Sequence, residues 1–381
     1  MGVTDRYAIR EMNEKLVLRL IIDKKVISRA DIAKETKLNK ATVSSIVSRL
    51  IEKDFVKELG IGESSGGRKP ILIKFNDKAG ISLSVELGPK YTSFMFSYLD
   101  GEVIQENKII TYQQSVPLAE ELISAEITKT LSRLKSSAYG LVGICIGLHG
   151  IVHDHKLVFS PFYDFDSLQL KNELEEKWQV AVHLENEANL SAIGEHHFYM
   201  ASPNLISLNI KYGIGAGIIL NNHLYKGANG FAGEIGHLIT VPDGIQCSCG
   251  NMGCLELYAS EYRMLYTYSN QSKWEDISFE RFLEDYRAGH PAAISAVSEF
   301  IKFIAIGINN LITSFNPEII VLNSKLTNQI DGLMDRVNDE LKYRLNKRIR
   351  IKASLLLERS MLLGASYLTS RSFLGIDDMA S

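Results

Sequence analysis

Apolar positions in the first fifth of the chain recur at helical spacing. Leu16, Leu18, Leu20 and Ile21 follow Glu14 and Lys15 in a segment that reads as a helix ending near Asp23-Lys24-Lys25. Ser28 can cap a second, short helix, with Asp31 three residues on and Ile32 and Ala33 facing inward, before a turn at Lys37-Leu38-Asn39. Asn39 can cap a third helix, whose stripe is Val43, Ile46, Val47, Leu50 and Ile51. Its opposite face carries Lys40, Thr42, Ser44, Ser45, Ser48 and Arg49. Two short strands around IGESSGGRKP follow, the second being ILIKF. This is the pattern of a winged helix-turn-helix. The hydroxyls and cations of the third helix suit phosphates and base edges in a major groove, and Arg68 and Lys69 at the wing tip suit the minor groove beside it.

From Ala79 the pattern changes. ISLSVEL, YTSFMFSYL and EVIQENKII alternate as strands, with Asp100-Gly101 as a hairpin turn. Helices about residues 117–134, Leu168–Trp178 and Glu187–Tyr199 then alternate with the strand runs LVGICIGL, VAVHLE, LISLNI and GAGIIL. A long helix about 292–314, the strand EIIVL and a terminal helix about 358–374, long enough to return to the first strands, complete an α/β body. The expected division is residues 1–76 and residues 77–381.

Charge supports that division. Residues 1–76 hold 16 Lys+Arg against 10 Asp+Glu, whereas the remainder is net acidic and the whole chain has a net charge of −3. A basic module facing a polyanion ahead of an acidic body is the expected arrangement. At 381 residues, 45% hydrophobic and 23% charged, the composition excludes a disordered or collagen-like chain. No apolar run approaches the ~18 residues of a membrane span, MGVTDRYAIR has no apolar signal core, and Arg6 stands where a myristoylation motif needs Ser or Thr. A soluble cytoplasmic protein without membrane partners is expected.

Three of the four cysteines fall within residues 247–254. His237, Cys247, Cys249 and Cys254 form H-x9-C-x-C-x4-C, a soft tetrahedral donor set suited to zinc, and a closed set predicts a structural ion. Glu234 and Glu256 flank it and are placed to accept hydrogen bonds from a small polyol.

GEIGH followed by CSCGNMGCLE resembles the signature of the ROK family of repressors, open reading frames and kinases, over about residue 80 to the end. With a winged helix-turn-helix in front the chain resembles the repressor branch, and SRADIAKETKLNKATVSSIVSRLIE is similar to the corresponding run of the xylose operon repressors of Gram-positive bacteria. The resemblance implies an α/β fold with two actin-like, sugar-kinase-like lobes around a sugar cleft, one zinc, a homodimer on palindromic operator half-sites, and xylose as first candidate effector. It also implies sugar contacts at Asn186, Glu187, Glu234, His237 and Glu256, with Gly147 and His149 bordering the cleft.

Departures from the family pattern argue against phosphoryl transfer. Glu187 replaces the Asp that serves as base in the kinases. The first phosphate hairpin, usually Asp-x-Gly-Gly-Thr, reads Glu86-Leu87-Gly88-Pro89-Lys90, and proline removes a backbone donor. Gly-Thr-Gly-x-Gly reads Lys211-Tyr212-Gly213-Ile214-Gly215, and the Gly-Gly that admits adenosine reads Asn323-Ser324. A sugar-responsive repressor without enzyme activity is therefore expected, the alternative being a ROK sugar kinase with an added DNA-binding module.

Overall fold

A computed structural model describes residues 3–61, 71–134, 136–272, 278–342 and 348–376. The N-terminal module contains α1 (Val3–Lys24), β1 (Val26–Ser28), α2 (Arg29–Thr36), α3 (Lys40–Glu52), β2 (Val56–Ile61) and β3 (Ile71–Phe75). The Ser28 hydroxyl accepts from the Asp31 amide, and the Asn39 side chain accepts from the Thr42 amide, so both caps form as their residue types require. β3 pairs antiparallel with both β1 and β2. The helix α1 starts earlier than its apolar stripe, because residues before Glu14 add turns that bury little.

The first lobe is built on β4 (Ile81–Leu87), β5 (Tyr91–Tyr98), β6 (Val103–Ile110), β7 (Leu141–Leu148) and β10 (Ala181–Asn186), with α4 (Val116–Leu131) and α5 (Ser167–Trp178) packed together. A two-stranded ribbon, β8 (Ile151–His153) and β9 (Lys156–Phe159), leaves its edge. After α6 (Glu187–Phe198), the second lobe uses β11 (Leu205–Ile210), β12 (Ile214–Leu220), β13 (His223–Leu224), β14 (Ile319–Asn323) and β15 (Arg350–Ala353). Its helices are α7 (Glu256–Ala259), α8 (Glu261–Ser272), α9 (Phe279–Arg287), α10 (Pro291–Phe315), α11 (Lys325–Gln329) and α12 (Leu333–Glu340). The strand orders are β10-β7-β4-β5-β6 and β13-β12-β11-β14-β15. In each lobe a hairpin-connected antiparallel trio precedes two strands added in parallel to its first member, so one topology occurs twice.

Between the sheets lie α6 and α13 (Arg359–Leu374). They approach so closely that a Cβ at Gly194 would lie 1.9 Å from the Ser360 carbonyl oxygen, and one at Gly364 would lie 1.8 Å from that of Leu190. The far end of α13 enters the N-terminal module. Leu374 and Ile376, with Ala79, Leu99 and Val142 of the first lobe, share one apolar core with Val47, Leu50 and Ile73. Phe55, Tyr139 and Phe373 pack ring against ring over the same junction, and the Tyr139 hydroxyl donates to the Lys53 carbonyl.

One expectation needs correction. Among the described residues, α10 is long and apolar enough to cross a membrane by length and composition, with a mean hydropathy of 1.6. Glu299 and Lys302 interrupt the apolar run, which hides it from a search for unbroken stretches. Half of the apolar window is buried in the lobe, where Val297, Phe300, Ile304 and Ile308 form core.

Within α6, Glu195 is fully buried; one oxygen accepts from the Ser354 hydroxyl and the other has no partner. Burial pushes its pKa up to about 7, against an ordinary value of about 4.3. The folded chain therefore retains a proton that the unfolded chain has released, and stability falls as pH rises from about 4.3 through 7. Glu195→Gln should stabilise the protein at pH 8 by on the order of 3 kcal/mol and lose that advantage near pH 4. Urea melts of both proteins across this range measure the divergence.

Candidate ligand cleft and metal centre

On α3, Lys40, Ser44, Ser45 and Ser48 are exposed and Thr42 is half-buried, forming one polar face away from the module core. Arg49 differs from the rest of that predicted set. Its Nε donates to Glu14 Oε2 at 3.1 Å and its Nη1 to Ser45 Oγ at 3.0 Å, while Lys53 Nζ meets the other Glu14 oxygen at 2.6 Å. Its guanidinium ties α3 to α1. Arg68 and Lys69 lie outside the described residues.

The loop after β13 brings His237, at the end of a single 3-10 turn, to the three cysteines. All four donor atoms lie within 4.8 Å of one another. Cys247 Sγ is 3.6 Å from His237 Nδ1, and Cys249 Sγ is 3.7 Å from Cys254 Sγ. A tetrahedral ion with bonds of about 2.3 Å to sulfur and 2.0–2.1 Å to nitrogen gives edges of about 3.5 and 3.8 Å, so the donors fit a single metal ion. Tight turns make this possible. Gly253 has φ +78°, and a Cβ there would meet the Val241 carbonyl oxygen at 1.7 Å. Bridges from Ile239 to Cys254 and from Gln246 to Met252 hold the loop to itself.

His237 also connects this cluster to a cleft of about 600 Å³ between the lobes. While Nδ1 faces Cys247, Nε2 lies 3.8 Å from Glu234 Oε2, and Glu256 Oε1 lies 3.7 Å from Nδ1. Burial and the charges of Glu187 and Glu256 push Glu234 up to about 7. Glu187 is also raised, first by burial. The cleft thus collects Glu187, Glu234 and Glu256 beside one imidazole, a set able to accept, and when protonated to donate, hydrogen bonds to hydroxyls.

Asn186 lines the same cleft as a positioning group. Its Oδ1 caps α6 by accepting from the amides of Ala188 and Asn189, and its Nδ2 donates to the Gly150 carbonyl at 2.8 Å and to Glu187 at 3.0 Å. His149 borders the cavity, but Gly147 does not. A side chain at Gly147 would meet Met361 and Leu190, so its place in β7 serves the packing of the helix pair.

A charged cluster at the cleft floor was singled out in the sequence only as lost phosphate loops. Glu86, 2% exposed, accepts from Tyr91 Oη at 2.8 Å and His149 Nε2 at 3.0 Å, with Lys211 Nζ at 3.4 Å from the opposite lobe. Burial alone would raise the Glu86 pKa, but Lys211, His149 and Tyr91 hold it well below the carboxylate range. Burial opposes the Lys211 charge, and Glu86, Glu187 and Glu358 raise its pKa nonetheless. Lys226 and Glu185 form a second bridge between lobes at 2.6 Å, and Glu358 pairs with Lys108 and Lys325. The signal in the sequence was an acid in an otherwise small or apolar buried strand, ISLSVEL, which requires a partner that spacing cannot locate.

Gly88, Asn323 and Ser324, from the same set of departures, make internal bonds. The Gly88 amide donates to the Tyr91 carbonyl. Asn323 Nδ2 donates to the Leu357 carbonyl and Ser360 hydroxyl, and the Ser324 hydroxyl donates to Glu261.

Comparison with known proteins agrees with these features. The winged helix-turn-helix DNA-binding model matches residues 13–57. The chain is 35% identical to the xylose repressor of Bacillus spizizenii and 34% identical to that of Bacillus subtilis, covering all of both chains in each case. It is 28% identical to the DNA-binding transcriptional dual regulator NagC of Escherichia coli, over 96% of this chain and 94% of NagC. A crystal structure of a ROK family transcriptional regulator, a homolog of the E. coli MLC protein, superposes with a TM-score of 0.84 at 25% identity, covering 97% of this chain and 98% of that one. The ROK glucokinase of Streptomyces griseus, in complex with glucose and AMPPNP, gives 0.67 at 23% identity over 75% of this chain and 98% of its own, a likeness of fold alone. The ROK family model itself matches residues 82–372, from the first strand of the first lobe to the closing helix, and the chain belongs to the ROK family.

Proposed function

We propose that this protein is a sugar-responsive transcriptional repressor of xylose utilisation that has no kinase activity. The observation that carries this reading is the pairing of an intact hydroxyl-binding end of the cleft with a nucleotide end crossed by Lys211–Glu86. A sugar enters beside Glu187, Glu234, His237 and Glu256; phosphates would have to displace a buried ion pair and find donors at Pro89, which has no N–H. The Asn186 cap orients Glu187 toward the cleft. The polar face of α3, from Lys40 through Ser48, enters a major groove, with Arg68 and Lys69 in the adjacent minor groove and Arg49 holding α3 in place. The proposed domain division is residues 1–76 for DNA and 77–381 for sugar and dimerisation, in a cytoplasmic homodimer that reads palindromic half-sites.

The cluster of His237, Cys247, Cys249 and Cys254 holds zinc in this reading. Zinc supplies cross-linking of a glycine-rich loop that has little core of its own, so that Glu234 and Glu256 are held at fixed spacing. For sugar to change operator affinity it must bind the DNA-competent and incompetent forms unequally. Lobe closure bears on the α6 N-terminus at Asn186, passes to α13 at the Gly194–Gly364 crossing, and reaches the DNA module through Phe373 and Leu374. Small rotations there move two α3 helices out of phase with half-sites spaced about 34–36 Å apart.

Purified full-length protein should contain one zinc per chain by elemental analysis, and Cys249→Ser should lose it and unfold at lower temperature. Absence of zinc in protein prepared without chelator would refute the assignment. Thr42→Ala or Ser45→Ala should relax sequence preference, a lost base contact being worth about 1–3 kcal/mol, whereas Lys40→Ala should weaken all sequences and reduce the salt slope by about 1. Fluorescence anisotropy with operator and scrambled duplexes across salt separates the two effects. Xylose should shift operator affinity about 5–150-fold in the intact protein, and Glu256→Ala should abolish the shift without loss of zinc. Phosphosugar formed from ATP and xylose would restore the kinase alternative.

A further inference from the structure

The cleft is larger than its hydroxyl-binding end. Its volume of about 600 Å³ lies within the ~300–1,000 Å³ range of sites that enclose drug-sized ligands, whereas the carboxylates gather around His237 at one side. Part of the remaining wall is aromatic. Phe162, Tyr212 and Tyr262 line it with exposures of 40%, 42% and 57%. Tyr212 and Tyr262 have ring centroids 5.9 Å apart and planes tilted by 31°, forming a nearly continuous platform. Phe162, from the other lobe, stands at 65° to Tyr212 with centroids 6.3 Å apart and approaches His149 at 6.1 Å on its inner side. Phe162 and Tyr212 thus lie beside His149 and Lys211, the two partners of Glu86.

Contiguous exposed rings in a concave site cost solvation without contributing to a core, which marks a binding surface. These rings are also held in place. Tyr212 lies between Lys211, anchored across the cleft on Glu86, and Gly213, where a Cβ would come within 2.9 Å of Glu256 Oε2. The Lys211 carbonyl accepts from the Tyr262 amide. The Ser160 hydroxyl donates to the His149 carbonyl and accepts from the Phe162 amide, which fixes the opposite wall. Such preorganisation lowers the ordering cost of binding.

A pyranose ring with equatorial hydroxyls presents C–H faces that stack on aromatic rings and hydroxyls at its rim. We propose that the cleft has a second subsite, formed by Phe162, Tyr212 and Tyr262, for the next unit of a neutral disaccharide whose first unit sits at Glu234, His237 and Glu256. The proposal rests on the sugar-binding reading of the cleft. Lys211 beside the rings is matched by Glu86; Lys90 and Arg263 also line the cavity, and stacking on the three rings requires no charge on the sugar.

Isothermal titration of the full-length protein with xylose and with β-1,4-xylobiose tests this. Xylobiose should bind about tenfold more tightly than xylose. Tyr212→Ala and Phe162→Ala should each reduce that preference several-fold, and Tyr212→Phe, which keeps the ring, should retain it. Equal affinity for the two sugars in the unaltered protein, or an unchanged preference in both alanine variants, would overturn the second subsite while leaving the sugar cleft standing. Binding of neither sugar would overturn the cleft reading itself, and the subsite with it.

Discussion

Two helices pressed together at glycines occupy the centre of this molecule, and most of its other features depend on that contact. At Gly194 and Gly364 the main chains of α6 and α13 approach to a separation that no side chain allows. Each helix then serves a different sheet, α6 against β11 and β12 and α13 against β4 and β7. Packed interiors deform little, so a helix pair held this closely moves as a unit. The hydroxyls of Ser82, Ser97 and Ser366 extend the contact into the first lobe as a closed polar cluster with separations of 2.6–3.1 Å. The N-terminus of α6 meets the cleft, the start of α13 meets Lys108 and Lys325 through Glu358, and its end meets the DNA module.

Charge at the cleft floor is arranged for geometry more than for net stability. Desolvating Glu86 and Lys211 offsets much of their attraction, and such buried pairs contribute little compared with apolar replacements. What Glu86 gains is a fixed set of three donors from three separate places: Tyr91 on the neighbouring strand, His149 at the end of β7, and Lys211 from the opposite lobe. These three donors converge on one Glu86 oxygen, and through Lys211 they join the two lobes at the cleft floor.

Local chemistry was legible in the chain; long-range partnership was not. Ser28 and Asn39 announced their helices because capping is decided within three residues. The Cys/His cluster was equally plain, since its donors are crowded by spacing alone. Arg49 looked like one more cation on a polar face, and only the placement of α1 reveals Glu14 beside it. Gly147 was expected beside the cleft with His149, yet a Cβ there would meet Met361 and Leu190; strand alternation alone would put the two positions on one face, and β7 ends at Leu148, before His149. The Glu86 cluster joins positions 86, 91, 149 and 211, separations that no periodicity encodes. The two lobes share a strand order without any visible repeat in residues, since topology is preserved by patterning that many sequences satisfy.

The N-terminal module does not hang from a linker. Val47, Leu50 and Ile73 share a core with Leu99, Val142, Leu374 and Ile376, and Phe55 completes a trio of rings with Tyr139 and Phe373. Recombination between family members is therefore constrained by an interior rather than by a tether. A DNA-reading module transplanted from a relative brings its half of an apolar core to a body whose other half has diverged, and the cut would expose Phe55 and Ile73 to an ill-fitting surface. Changes of operator within such a lineage have an easier route through single positions on the exposed face of α3, where a new hydroxyl or cation alters what is read and disturbs no packing.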